Sequence, residues 1–157
     1  MPTDPTRLRF WDALKTRLQG MTGASYHLPI PSTASIVDDP TTSIFDLAGS
    51  ELPVYLMEGT PDGDKEFYPG KQLKEHYRVL VTGRYDVAEP VARERQAAGE
   101  KMAADIEVAV EGGDLTFGGI VEHAKIGTPQ IFFGLGSGVV LMVMPVTATI
   151  WRQYGSP

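Results

Sequence analysis

From His76 to Val87 the chain alternates: Tyr77, Val79, Val81, Tyr85 and Val87 fall on one parity, and His76, Arg78, Thr82, Arg84 and Asp86 fall mainly on the other. A period of two marks a strand with one buried and one wet face, so EHYRVLVTGRYDV is predicted to be a strand. Elsewhere the spacing is three to four. Leu8, Trp11, Leu14 and Leu18 predict an amphipathic helix that opens at Asp4-Pro5, a capping residue followed by proline, and closes at Gly20. Trp11 lies on that apolar stripe and is read as core rather than as a ligand platform. Val91, Ala98, Met102, Ile106 and Val110 predict a second helix, begun at Glu89-Pro90 and stopped by Gly112-Gly113.

From Asp114 onward the pattern returns to strands: DLTFGGIVEHAKI, QIFF, a glycine-rich turn, and VVLMVMPVTATIW. Val139 to Trp151 would run about 40 Å as a strand, long for a chain of this size. From Val139 to Met144 both parities are apolar, which predicts a strand inside a sandwich or one whose second face is buried by another subunit. Shorter strands are predicted at Ser43 to Leu47 and Leu52 to Met57. Between these elements lie two loops, 21–42, rich in Pro, Ser and Thr, and 58–72, EGTPDGDKEFYPGKQ. Loops of that length usually bind something or wait for a partner to order them. The fold class is α+β: a single domain over 1–157 with an antiparallel-rich β-sheet, two main helices and a long C-terminal β-hairpin.

Lys125 and Arg152 bracket 26 uncharged residues, enough to span a bilayer as a helix. Pro129, Pro145 and the intervening glycines break such a helix, and no cluster of basic residues flanks it, so the hairpin is the better expectation and no membrane is implied. The turn itself, GLGSGVV, resembles a phosphate cradle only superficially. Its third glycine falls a residue early for G-x-G-x-x-G, the segment after it reads as a strand, and no P-loop lysine follows. Its glycines are expected to supply the positive φ angles of a tight reversal.

The chain has 157 residues, 14 basic against 20 acidic, for a net charge of −6. That balance disfavours tight binding to nucleic acid or anionic membranes. Eight of the acids lie between Asp38 and Glu66, where Lys65 is the sole base, so one surface is expected to be acidic. No cysteine is present, which excludes disulfides and thiolate metal sites and fits assembly in a cytoplasm. The first residues, MPTDPTRLRFWDALK, carry charges where a secretory signal needs an apolar core.

Catalytic constellations fare poorly. His27, His76 and His123 are scattered and form no short metal-ligand pair, and Glu75-His76 and Glu122-His123 would put neighbours on opposite faces of a strand. Asp38-Asp39 precedes a proline in a Ser/Thr-rich loop and reads as a solvated turn. Ser32, Ser35, His27 and Asp38 are the residue types of a hydrolase triad without its motif. Arg78 and Arg84 are more informative. On the polar face of a strand they could hold carboxylates of another chain, for which Asp62, Asp64 and Glu66 of the acidic segment are candidates, or they could simply be solvated.

The order of elements, with Asp114, Leu115, Thr116 and Gly118 after the central helix and a closing hairpin, resembles the tail terminator proteins of long-tailed bacteriophages. In those families the segment after the central helix reads D-L-T or similar, then glycine, then a strand. The resemblance implies a structural virion protein with no catalytic residue, no cofactor and no metal. It implies a hexameric ring at the head-proximal end of the tail, assembled in the host cytoplasm, that caps the tail tube and stops its polymerisation. Its partners would be the tail tube protein and a neck or head-completion protein, with DNA only as the genome in transit. A related neck or head-completion adaptor fits the same pattern. Two other readings stay open: a monomeric protein-binding module, and a small hydrolase or ligand-binding enzyme using the 27–39 loop.

Overall fold

The computed structural model of the chain describes residues 5–47, 52–60, 65–89, 91–134 and 137–153. In chain order the elements are α1 (Thr6–Gln19), β1 (Ile36–Val37), β2 (Val54–Thr60), β3 (Lys65–Tyr68), β4 (Gln72–Asp86), α2 (Ala92–Glu111), β5 (His123–Ile126), β6 (Gln130–Phe133) and β7 (Val139–Gln153), with 3₁₀ turns at Thr33–Ser35 and Ile44–Asp46. The α+β class and the C-terminal hairpin expected from the pattern are both present.

Two strands of 15 residues, β4 and β7, pair antiparallel along their whole length, from Gln72 with Gln153 to Asp86 with Val139. They form the spine of a seven-stranded sheet. On the outer side of β4 lie β2 and β3, and beyond β2 the short parallel strand β1. On the outer side of β7, β5 and β6 follow one another in a single lane. Pro145 sits mid-strand in β7, where it accepts Gly127 N–H at 2.8 Å. A residue's N–H and C=O point to the same side of a strand, so the donor that proline lacks faces the gap between β5 and β6.

Both helices cover one face of this sheet. Val79 and Val81 of β4 and Val140, Met142, Met144, Val146, Ala148 and Ile150 of β7 share that face and are buried. They form one cluster with Phe10, Leu14 and Leu18 of α1 and Met102, Ile106 and Val110 of α2. In α1 the buried stripe runs through Phe10 rather than Leu8, which is 44% exposed. At 100° per residue, Leu8 stands about 120° around the helix from Leu14. Trp11 is half-buried against the core. The expected cap at Asp4 lies outside the described residues, and Pro5 stands at the N-cap, one position earlier than a first-turn proline. Helix α2 begins at Ala92; Val91 precedes it and is half exposed, and Pro90 lies outside the described residues.

Several local expectations are corrected. Ser43–Leu47 is not a strand: the Ser43 hydroxyl accepts Phe45 N–H and the segment closes into a 3₁₀ turn that buries Ile44 alone. The strand predicted from Leu52 begins at Val54 and extends to Thr60. Much of the 58–72 loop is strand, because β4 starts at Gln72 and offers β3 a partner across the Pro69-Gly70-Lys71 turn. DLTFGG is a turn rather than a strand. Asp114 accepts Thr116 N–H, the Thr116 hydroxyl and Gly118 N–H at 2.7 to 2.9 Å, and Phe117, Gly118 and Gly119 follow with positive φ. Those bonds, the Thr116 hydroxyl first, hold the Asp114 carboxyl below the usual carboxylate range. Arg17 stacks 3.6 Å over Phe117 and donates to Val110 O and Asp114 O, tying the turn to both helices.

The 21–42 loop is held from within the chain. Ile30 N–H donates to Met21 O, both residues are buried, and the Asp105 carboxylate on α2 accepts His27 N–H at 2.8 Å and Leu28 N–H at 2.7 Å. Asp105 is 1% exposed. A second buried acid, Glu75 of β4, lies at the far end of the same face, paired with Arg7 from the first turn of α1 and Arg152 of β7. The 26-residue uncharged run forms β6, the turn and β7, and among the described residues no helix is long and apolar enough to cross a membrane. At the turn, Gly134 and Gly138 do not have positive φ, and Leu135 and Gly136 lie outside the described residues. Gly138 is needed for close approach: a Cβ there would strike Val87 O, beside the bond from Val87 N–H to Gly138 O.

Candidate functional site

Strand alternation gives the sheet a second face, opposite the helices. Its central lanes carry Leu80 and Thr82 from β4 and Val139, Leu141, Val143 and Pro145 from β7, all half-buried, with Phe132 of β6 beside Leu141 and 50% exposed. Among the described residues, the element placed over this face is the Ile44–Asp46 turn, and it covers the β2 margin and the Arg84 end of β4. There Ile44 and Leu56 are buried outside the main cluster. Phe45, next to Ile44, is 69% exposed. The apolar second face expected of β7 is therefore real, and the described residues leave most of it uncovered.

Below the apolar stretch the same face becomes polar and cationic. Register places Arg78, Thr147 and Lys125 in one row across β4, β7 and β5, and His76, Thr149 and His123 in the next. The Thr149 hydroxyl lies 3.3 Å from His76 Nδ1. Arg78 and Lys125 are exposed, and among the described residues neither forms an ion pair. Further along, Glu66, Lys74 and Trp151 share a row. Glu66 accepts the Tyr68 hydroxyl at 2.6 Å, which lowers the Glu66 carboxyl and raises the Tyr68 phenol from their ordinary values. Lys74 lies over the Trp151 ring, whose indole N–H donates to Glu122.

The five interface candidates thus separate. Arg78 lies exposed on the open face and, among the described residues, forms no ion pair, and Glu66 lies on that face but is engaged with Tyr68. Asp62 and Asp64 lie outside the described residues. Arg84 is committed within the chain: its Nε and Nη2 pair with both Asp86 oxygens at 3.0 and 3.2 Å, and Nη1 donates to Phe45 O at 2.8 Å and Ile44 O at 3.3 Å. Its task is to fasten the 3₁₀ turn to β4. Arg84→Ala is accordingly expected to lower the unfolding free energy by about 2 kcal/mol, from charge-assisted bonds lost at a part-buried site. Arg78→Ala should stay within about 0.5 kcal/mol. Urea denaturation of the two variants measures the difference, and equal losses would mean that Arg84 does not anchor the turn.

The triad residue types do not assemble. His27 is exposed and bonds Asp105 through its backbone, and Asp38 pairs with Lys15 at 2.9 Å. Among the described residues no hydrogen bond joins the side chains of His27, Ser32, Ser35 and Asp38. The Lys15 bond is the main cause holding the Asp38 carboxyl below its ordinary range. Asp38 also borders an open cleft of about 490 Å³ with Trp11, Pro40, Met57, Glu58 and Gly59. Among the described residues no group of three or more His, Asp or Glu could hold a metal ion. Lys125, Leu80 and Phe132 were not singled out by sequence reasoning; Lys125, at the border of the uncharged run, offered the one local signal. The chain matches no protein-family model, and no curated protein matches it.

Proposed function

We propose that the chain is a ring-forming structural virion protein that caps a phage tail tube, stops its polymerisation and joins the tail to the neck or head. The observation that carries the reading is the bare apolar face of the β4–β7 sheet. A monomer rarely exposes a contiguous apolar surface of this kind, and association is its usual cover. The reading is also supported by the order of elements and the closing hairpin, which resemble those of tail terminators. The net charge of −6 suits a ring through which a genome passes without being retained. In this reading the chain performs no catalysis and its partners are its own copies, the tail tube protein below and a neck or head-completion protein above. A monomeric protein-binding module would use the same face for a peptide or protein target.

Native mass at several concentrations, with particle images of the largest species, tests the proposal. A closed six-fold ring is expected, alone or after addition of the virus's tail tube protein. A monomer under every condition, tube protein included, overturns the ring and leaves the binding module.

A further inference from the structure

The two sides of the open face carry unspent charges of opposite sign. On the β2 side the exposed Phe45 is flanked by the exposed Asp46; across the sheet, on β5, is the exposed Lys125. Among the described residues neither of these two charges forms an ion pair. We infer that the Ile44–Asp46 turn of one copy seats on the uncovered β7 region of the next, with Phe45 against Leu141 and Val143 and Asp46 toward Lys125. The inference rests on the ring reading above, whose subunit contact it specifies.

Three features select a second copy as the occupant. First, the chain already lays this turn on this face: Ile44 is buried there, Arg84 holds the Ile44 and Phe45 carbonyls, and Phe45 is left outside. The turn is thus a fastened ridge with an exposed aromatic tip beside an acid, and the seat is an apolar surface with Lys125 beyond it on β5. Second, the charges are complementary between the two sides of one molecule. Third, the area is of the right order. The β4, β7 and shorter β5–β6 lanes, about 4.8 Å apart, present on the order of 500 Å² once the Arg84 end under the turn is set aside, against roughly 800 Å² per partner in a standard stable interface. Engaged head-to-tail, with one ridge in one seat at each contact, the pairing generates rings when its rotation closes.

The test is a charge exchange read by sedimentation. Asp46→Lys and Lys125→Glu should each weaken assembly about tenfold through like-charge contact, with unfolding midpoints unchanged because both residues are exposed. The double variant D46K/K125E should assemble within about threefold of the wild type, and an equimolar mixture of the two single variants should also recover. Phe45→Ala should weaken assembly without affecting the fold. An assembled wild type insensitive to all of these variants, or a double variant no better than the singles, overturns this pairing alone. A wild type that stays monomeric even with tube protein overturns the ring and this contact together.

Discussion

Replacing Asp105 by alanine should lower the unfolding free energy by about 3 kcal/mol, one of the two largest effects expected in this chain. The carboxylate sits on the buried side of α2, 1% exposed, and takes the backbone N–H groups of both His27 and Leu28. Alanine would remove a charged acceptor shared by two donors and leave those amides to find water beside the core. Asp105→Asn should lose about 2 kcal/mol, since an amide retains one acceptor but turns a donor toward the second N–H. Urea denaturation gives both values, and hydrogen exchange localises them: the His27 and Leu28 amides should open well before those of β4 and β7. An alanine variant within 0.5 kcal/mol of the wild type would show that the loop is held by Met21 and Ile30 alone.

The second large effect should come from removing two cations rather than an anion. Glu75 is 1% exposed, and its compensation is Arg7 on α1 and Arg152 on β7, each partly in solvent. Arg7→Ala with Arg152→Ala would strip a buried carboxylate of both its ion-pair partners and leave the exposed Lys65, its cross-strand neighbour on β3, as the nearby cation, which should destabilise the fold by about 3 kcal/mol. Glu75→Met should lie within about 1 kcal/mol of the wild type. It exchanges the buried charge for an apolar side chain of similar length, and both arginines can turn outward on their stems. The comparison by chemical denaturation is decisive in its order: if Glu75→Met were the worse variant, the ion pairs would be net stabilising rather than compensation for a buried charge.

What could be read from the sequence was whatever repeats with the period of its own element. The alternation in β4, the doubly apolar β7 and the Ala98–Met102–Ile106–Val110 stripe of α2 each identify an element and its inward side. Periodicity fails where a partner makes the structure. Lys65–Tyr68 has no alternating burial and is strand only because β4 lies alongside. In α1, three-residue spacing admitted Leu8, and the sheet and Phe117, which settle the stripe on Phe10, come from far along the chain. The same limit applies to side-chain roles. Arg78 and Arg84 look equivalent in GRYDV and its neighbours, and only the arrival of the Ile44 and Phe45 carbonyls separates them. Asp105 resembles any acid on a helix until the 21–42 loop folds back onto it. That one face of β7 needed a cover was legible; how little of it the described residues supply was not.

The gap between β5 and β6 also fixes alignment. Gly127 is the residue beneath the Pro145 ring, where a Cβ would collide with the ring carbons, and it supplies the one backbone bond formed across that point. Sliding the outer lane by two residues in either direction would bring a bulkier residue, Lys125 or Pro129, under the proline ring. A tract as uniform as VVLMVM could otherwise zip in several offsets of equal apolar content. The proline and glycine together leave it one, so the hairpin most exposed to mispairing during synthesis carries its own alignment mark.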